Sequence, residues 1–144
     1  MSMPGVARRI VLIGAATAAV PRPSPASSNR ATVLIAEFIG CATPIIGGIA
    51  LDIPTLVENG NAVAISIAVE APTGATQEIA VFADGNPLPE VLRMRFGPAA
   101  GPIQVAARIR LADSQTVTAL ARMADGSVRK TEVETLVTLA ACLE

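Results

Sequence analysis

From Val63 to Val69 every second residue is β-branched and apolar: Val63, Ile65, Ile67 and Val69 alternate with the small or polar Ala64, Ser66 and Ala68. A repeat of two puts all four on one face of an extended chain, whereas a helical turn would scatter them around its circumference. The stretch is therefore a half-buried strand. Similar runs recur along the chain. Leu92, Met94 and Phe96 alternate with Arg93 and Arg95; Ile103, Val105, Ala107, Ile109 and Leu111 alternate with Gln104, Ala106, Arg108 and Arg110; Val133, Thr135, Val137 and Leu139 oppose Glu132 and Glu134. Shorter runs at Ile49–Ile53, Glu78–Ala83 and Val117–Met123 complete the set.

Turn chemistry separates the runs. Asn59-Gly60 is expected to supply the positive φ of a tight turn, Pro72-Thr73-Gly74 and Asp84-Gly85-Asn86-Pro87 break the chain, Gly97 to Pro102 makes a longer connection, and Asp125-Gly126 reads as a hairpin. About seven short strands between Ile49 and Leu139, with no helical period among them, predict an all-β fold: an immunoglobulin-like antiparallel β-sandwich. No Cys…Trp…Cys spacing exists, so an antibody-type domain is excluded. Ahead of the sandwich, residues 27–48 read as a linker and a short helix over Ala31–Ile39, with Val33 and Phe38 on its apolar side and Gly40 as its stop.

Composition narrows the chemistry more than the fold. Of 144 residues 51% are apolar, but aromatics supply only Phe38, Phe82 and Phe96, so the core is aliphatic. Histidine is absent. That removes the usual general base, the commonest metal ligand and the partner of any Ser or Cys triad. Two cysteines without histidine make a zinc site improbable. A net charge of −1 with no basic run gives no reason to expect nucleic acid. Asp84, Glu90, Asp113 and Asp125 are turn-associated carboxylates that nothing in the sequence pairs for acid/base work.

Residues 1–26 have the layout of an export signal. Arg8 and Arg9 precede an uncharged run from Ile10 to Val20, and Ser24 and Ala26 are small residues before a cut near Ser27. The run is too short to span a bilayer. Paired arginines followed by Val11-Leu12 fit a twin-arginine signal, although an ordinary secretory signal also fits. Cleavage there leaves 8 basic against 12 acidic residues, a net charge of −4. A cytoplasmic N-terminus is the remaining reading.

Two thiols and one group of arginines are the candidate functional residues. Cys142 follows the last strand on a short C-terminal arm, residues 140–144, where a thiol suits a handle better than a core position, although free cysteines are also often buried. No cation is adjacent in sequence, so its acidity is expected to be ordinary. Cys41 reads as a small buried residue after the helix. Phe38-Ile39-Gly40-Cys41 also loosely resembles a lipoprotein cleavage box, which would make Cys41 a lipid anchor, and Glu37 argues against it. A Cys41–Cys142 disulfide is a third possibility in an oxidising compartment. Arg93, Arg95, Arg108 and Arg110 would share one face if their two strands pair, forming a patch for an anion or an acidic partner; the alternative is a solvated sheet face.

Four stretches together resemble the SoxY family of the thiosulfate-oxidising Sox system. They are Leu51-Asp52-Ile53-Pro54 with Val57-Glu58-Asn59-Gly60 and Val63; Asp84-Gly85-Asn86-Pro87; Arg108-Ile109-Arg110-Leu111; and Val137-Thr138 before the terminal cysteine. The resemblance covers about Ala36 to Cys142. It implies a periplasmic immunoglobulin-like carrier, not an enzyme, that pairs with a SoxZ-like subunit and holds thiosulfate-derived sulfur covalently on Cys142. Other enzymes of the pathway, including a c-type cytochrome and a sulfatase-like hydrolase, act on that cargo. No cofactor or metal is implied, nor any membrane contact once the signal is removed. The family's arm usually reads Gly-Gly-Cys-Gly-Gly, whereas this one reads Ala140-Ala141-Cys142-Leu143-Glu144. Alanine restricts φ and adds a methyl, making the arm stiffer and thicker. Two readings from other classes therefore stay open: a Sox-like binding and assembly module that carries no sulfur, and an adhesion-type sandwich with no such partner.

Overall fold

The alternating run at residues 63–69 pairs on both sides. In the computed structural model, which describes residues 25–138 with side chains from residue 29 onward, strand β4 (Val63–Val69) lies between β2 (Ala50–Asp52) and β7 (Ile103–Ile109) in an antiparallel three-stranded sheet. Its four β-branched residues all point into the core, and the alanines and serine between them face outward. A larger sheet packs across that core. It contains β1 (Ile45–Ile46), β3 (Leu56–Val57), β5 (Thr76–Ala83), β6 (Glu90–Arg95), β8 (Gln115–Met123) and β9 (Val128–Val137), in the order β1-β9-β8-β5-β6, with β3 also on β9. The described residues thus form the expected immunoglobulin-like sandwich, preceded by one helix.

Two of the strands are too short to read as periodic. β1 and β3 have two residues each and pair with β9 in parallel, Ile45 opposite Arg129 and Leu56 opposite Leu136. Between them the chain crosses to the small sheet as β2, so residues 45–57 bind both sheets along one side of the sandwich. The linker expected between Gly40 and Gly48 therefore contains a strand.

Helix α1 (Pro25–Ile39) begins six residues before the expected Ala31, so residues 27–29 are helical and not linker. Gly40 ends it as predicted, with φ +62° and its N–H bonded to the Ala36 carbonyl. The buried face differs from the expectation. Val33 is 56% exposed, while Ala31, Leu34, Ile35 and Phe38, at helical spacing, turn inward. Phe38 meets Phe82 edge to face, at 6.4 Å between centroids, and packs with Ala80, Leu120 and Val128. The helix thereby covers the outer face of the large sheet. This explains why β5 and β8 are apolar along both faces and read as nearly continuous hydrophobic runs.

Among the described residues, no helix is long and apolar enough to cross a membrane.

Candidate functional site at the root of the C-terminal segment

Cys142, the sequence's principal candidate, lies outside the described residues. The structure does define the root from which its segment departs. β9 ends at Val137, two residues short of the expected Leu139. On one side β3 holds this end: Leu136 N–H donates to Thr55 O at 2.8 Å and Thr138 N–H to Val57 O at 3.0 Å. On the other side the Ser114 hydroxyl takes the place of a strand, accepting from Val137 N–H at 2.8 Å and donating to Val137 O at 3.4 Å. The Thr138 hydroxyl adds longer bonds to the carbonyls of Val57 and Glu58, at 3.4 and 3.3 Å. The backbone is thus fixed from both sides through Thr138.

A second layer fixes Ser114. Asn86, 4% exposed, donates to Arg110 O at 2.7 Å and accepts from Ala112 N–H at 2.9 Å and Gln115 Nε2 at 3.0 Å, bridging both ends of the 110–115 loop. Asp84 accepts from Thr116 N–H at 3.0 Å, and Gly85 N–H donates to Gln115 Oε1 at 2.7 Å. Gly85 lies close under the same side chain: a Cβ there would stand 3.1 Å from Gln115 Cβ, so a larger residue would press Gln115 aside by a few tenths of an ångström. The Asn59-Gly60 turn joins the same assembly through Leu111 N–H to Gly60 O at 2.9 Å. Gly60 does not have the expected positive φ; the Asn59 side chain makes the turn instead, accepting from Asn61 N–H at 3.0 Å. Segments 57–60, 84–87, 108–111 and 137–138 are dispersed in sequence and converge on the end of β9.

The four arginines do not form one patch. β6 and β7 belong to different sheets, so Arg93 and Arg95 cannot share a sheet face with Arg108 and Arg110. Arg108 and Arg110 are exposed in and just after β7. Arg93 and Arg95 instead surround a residue the sequence reading passed over. Glu78 Oε1 lies 2.9 Å from Arg93 Nη1 and 3.5 Å from Arg95 Nε, and its Oε2 lies 3.6 Å from Arg122 Nη1. The Arg93 fork also takes both oxygens of Glu90 at 2.8 Å. That hydrogen bonding holds the Glu90 carboxyl below the usual carboxylate range and, chiefly through Glu90, raises Arg93 further above its own. Arg93 and Arg122 both stack on Phe38, at 5.5 and 4.7 Å from the ring centroid, and Arg122 donates to the Phe38 carbonyl. The cluster locks α1 to the sheet.

Cys41 is exposed and free, not the buried residue expected. A lipoprotein-type cut before it would strip Phe38 from the core. Its neighbour Ala42 packs on the cluster containing Val128, at the start of β9. The Cys41–Cys142 disulfide reading falls on Cys142, which lies outside the described residues. Among the described residues, no group of three or more His, Cys, Asp or Glu side chains could hold a metal ion.

The converging segments are those that carried the SoxY resemblance, and the family comparison decides the matter: the model described as "Sulfur oxidation protein SoxY" matches residues 35–142. The chain belongs to the SoxY family. Among solved structures, it is similar to the sulfur carrier protein SoxY from Chlorobium limicola f thiosulfatophilum, with 23% identity, a TM-score of 0.65, and 78% of this chain and 99% of that one covered. It is also similar to the superoxide reductase (neelaredoxin) from Ignicoccus hospitalis, with 16% identity, a TM-score of 0.55, and 63% and 80% covered. Both are likenesses of fold. No curated protein matches the chain.

Proposed function

We propose that this protein is a periplasmic sulfur carrier that holds thiosulfate-derived intermediates covalently on Cys142 for other Sox enzymes. Membership of the SoxY family supports the reading. The observation that carries it is the root: a backbone pinned from both sides through Thr138, with Cys142 four residues further on. A carrier needs its thiol on a defined base, because the cost of finding each enzyme's site falls when only a few residues remain to be positioned.

The chemistry requires an oxidant and a hydrolase outside this chain. The Cys142 thiolate and the terminal sulfur of thiosulfate form an S–S bond with loss of two electrons, which a c-type cytochrome partner accepts. Water then cleaves the S–SO3 bond on a sulfatase-like hydrolase, releasing sulfate and leaving a persulfide on Cys142. The chain supplies attachment and presentation, not catalysis. A SoxZ-like subunit is the expected partner. The Arg8-Arg9 signal layout supports export, by the twin-arginine route.

The Ala140-Ala141 arm favours a second reading, a Sox-like binding and assembly module without cargo. Replacing Cys142 with Ser separates the two. In a reconstituted system a carrier loses thiosulfate oxidation, and a module without cargo retains it.

A further inference from the structure

Leu56 and Leu136 are register partners at the β3–β9 junction, and both are exposed, at 60% and 62%. Adjacent leucines left in water on paired strands are an unpaid hydrophobic cost of roughly 25 cal/mol for each Å² they leave uncovered. They lie at the root: Leu136 is two residues from Thr138, and Leu56 is one residue from Val57, whose carbonyl binds Thr138. Acidic residues border the pair. Glu58 adjoins Val57 at the root, and Glu134 precedes Leu136 on the same face of β9; both are exposed.

The reach of the chain limits what can cover this surface. Cys142 is four residues beyond Thr138, so its Cα lies within about 14 Å of the root whatever path the segment takes. An enzyme that closes its active site around the Cys142 sulfur at a depth of several ångströms must bring its rim against the protein surface near Thr138. We propose that Leu56 and Leu136 form the docking collar for the enzymes that act on Cys142, meeting an apolar rim flanked by basic residues opposite Glu58 and Glu134. The collar rests on the carrier reading and adds to it. It makes recognition independent of the cargo, since the apolar pair is unchanged while the sulfur species on the thiol changes. Two central apolar side chains can dominate the affinity of such a small contact, while the acidic border governs the rate of encounter.

The test is a reconstituted thiosulfate-oxidation assay with the full carrier chain as the varied substrate and cytochrome reduction as readout, comparing wild type, L56S/L136S and C142S. The collar predicts that L56S/L136S raises KM by about tenfold with kcat nearly unchanged. Its melting temperature, its complex with a SoxZ-like subunit and the rate at which its thiols react with a small disulfide reagent should all match wild type. An unchanged KM alongside inactive C142S overturns the collar and leaves the carrier reading standing; full activity in C142S overturns both. Loss of the SoxZ-like subunit would make the pair a subunit interface, a change in self-association would make it a contact between copies, and faster thiol labelling would make it a seat for the chain's own C-terminal residues. Each of these results overturns the collar. Should L56S/L136S fold poorly, the single L56T and L136T variants give the same comparison.

Discussion

Glu78 and Arg93 meet diagonally across neighbouring strands, Oε1 to Nη1 at 2.9 Å, with the Glu78 side chain only 8% exposed and Phe38 stacked beside the guanidinium. A carboxylate so enclosed is tolerable because three arginines surround it, and together they tie α1 to the sheet.

Glu78→Ala should therefore cost about 1–3 kcal/mol of unfolding free energy, below the roughly 3–5 kcal/mol of a fully buried ion pair because its arginines can turn to water. Arg95→Ala should cost under about 0.5 kcal/mol, since Arg95 is 80% exposed. Urea unfolding of the two variants checks the order; equal losses would contradict the arrangement.

The Glu90–Arg93 fork gives this cluster a pH dependence of known sign. Because the folded-state pKa of Glu90 lies below its ordinary value of 4.5, its contribution is fully present above that value. It is lost as the pH falls through the lower folded value. The stability difference between wild type and Glu90→Gln should be constant from about pH 6 to 8 and shrink below about pH 4, as followed by thermal melts. A difference that grows in acid would contradict the pairing.

Phe38→Ala should cost about 3 kcal/mol and release the helix before the sandwich, because the ring bridges α1 to Phe82, Leu120 and Val128. Hydrogen exchange should show faster exchange through Leu34–Ile39 while β4 and β8 keep their protection. Uniform loss of protection would mean that helix and sheets form one cooperative unit.

How much of this was legible in the sequence follows from the range over which each signal acts. β4, β7 and the Asp125-Gly126 hairpin were readable because alternation and turn chemistry are local. β1 and β3 were not, since two residues carry no period. The arginine grouping failed because pairing is non-local: the 97–102 connection crosses from one sheet to the other, so consecutive strands with matching arginines end as edges of opposite sheets. Glu78 carried a signal that went unused. It opens the otherwise apolar run Glu78–Ala83, and a hairpin to β6 sets it opposite Arg95. The site was legible in part. The four family-like stretches were visible, but only the fold shows that Asn86, Gly60, Ser114 and Val137 meet.

Asn86→Ala should test that convergence. It removes three hydrogen bonds from a buried amide and should cost about 1–3 kcal/mol, while Ser114→Ala should cost about 1 kcal/mol. Both should speed amide exchange at Val137, which would otherwise be slow for a strand end. Unchanged exchange there in Asn86→Ala would show that the 110–115 loop does not hold the root.

The carrier account is tested most directly by the chemical state of Cys142 during turnover. With thiosulfate and the oxidising partner present, peptide mass spectrometry should find a sulfur adduct on the C-terminal peptide containing Cys142, lost on reduction, while Cys41 stays unmodified. Continued thiosulfate oxidation with Cys142 found only as a bare thiol, or with the adduct on Cys41, would contradict it.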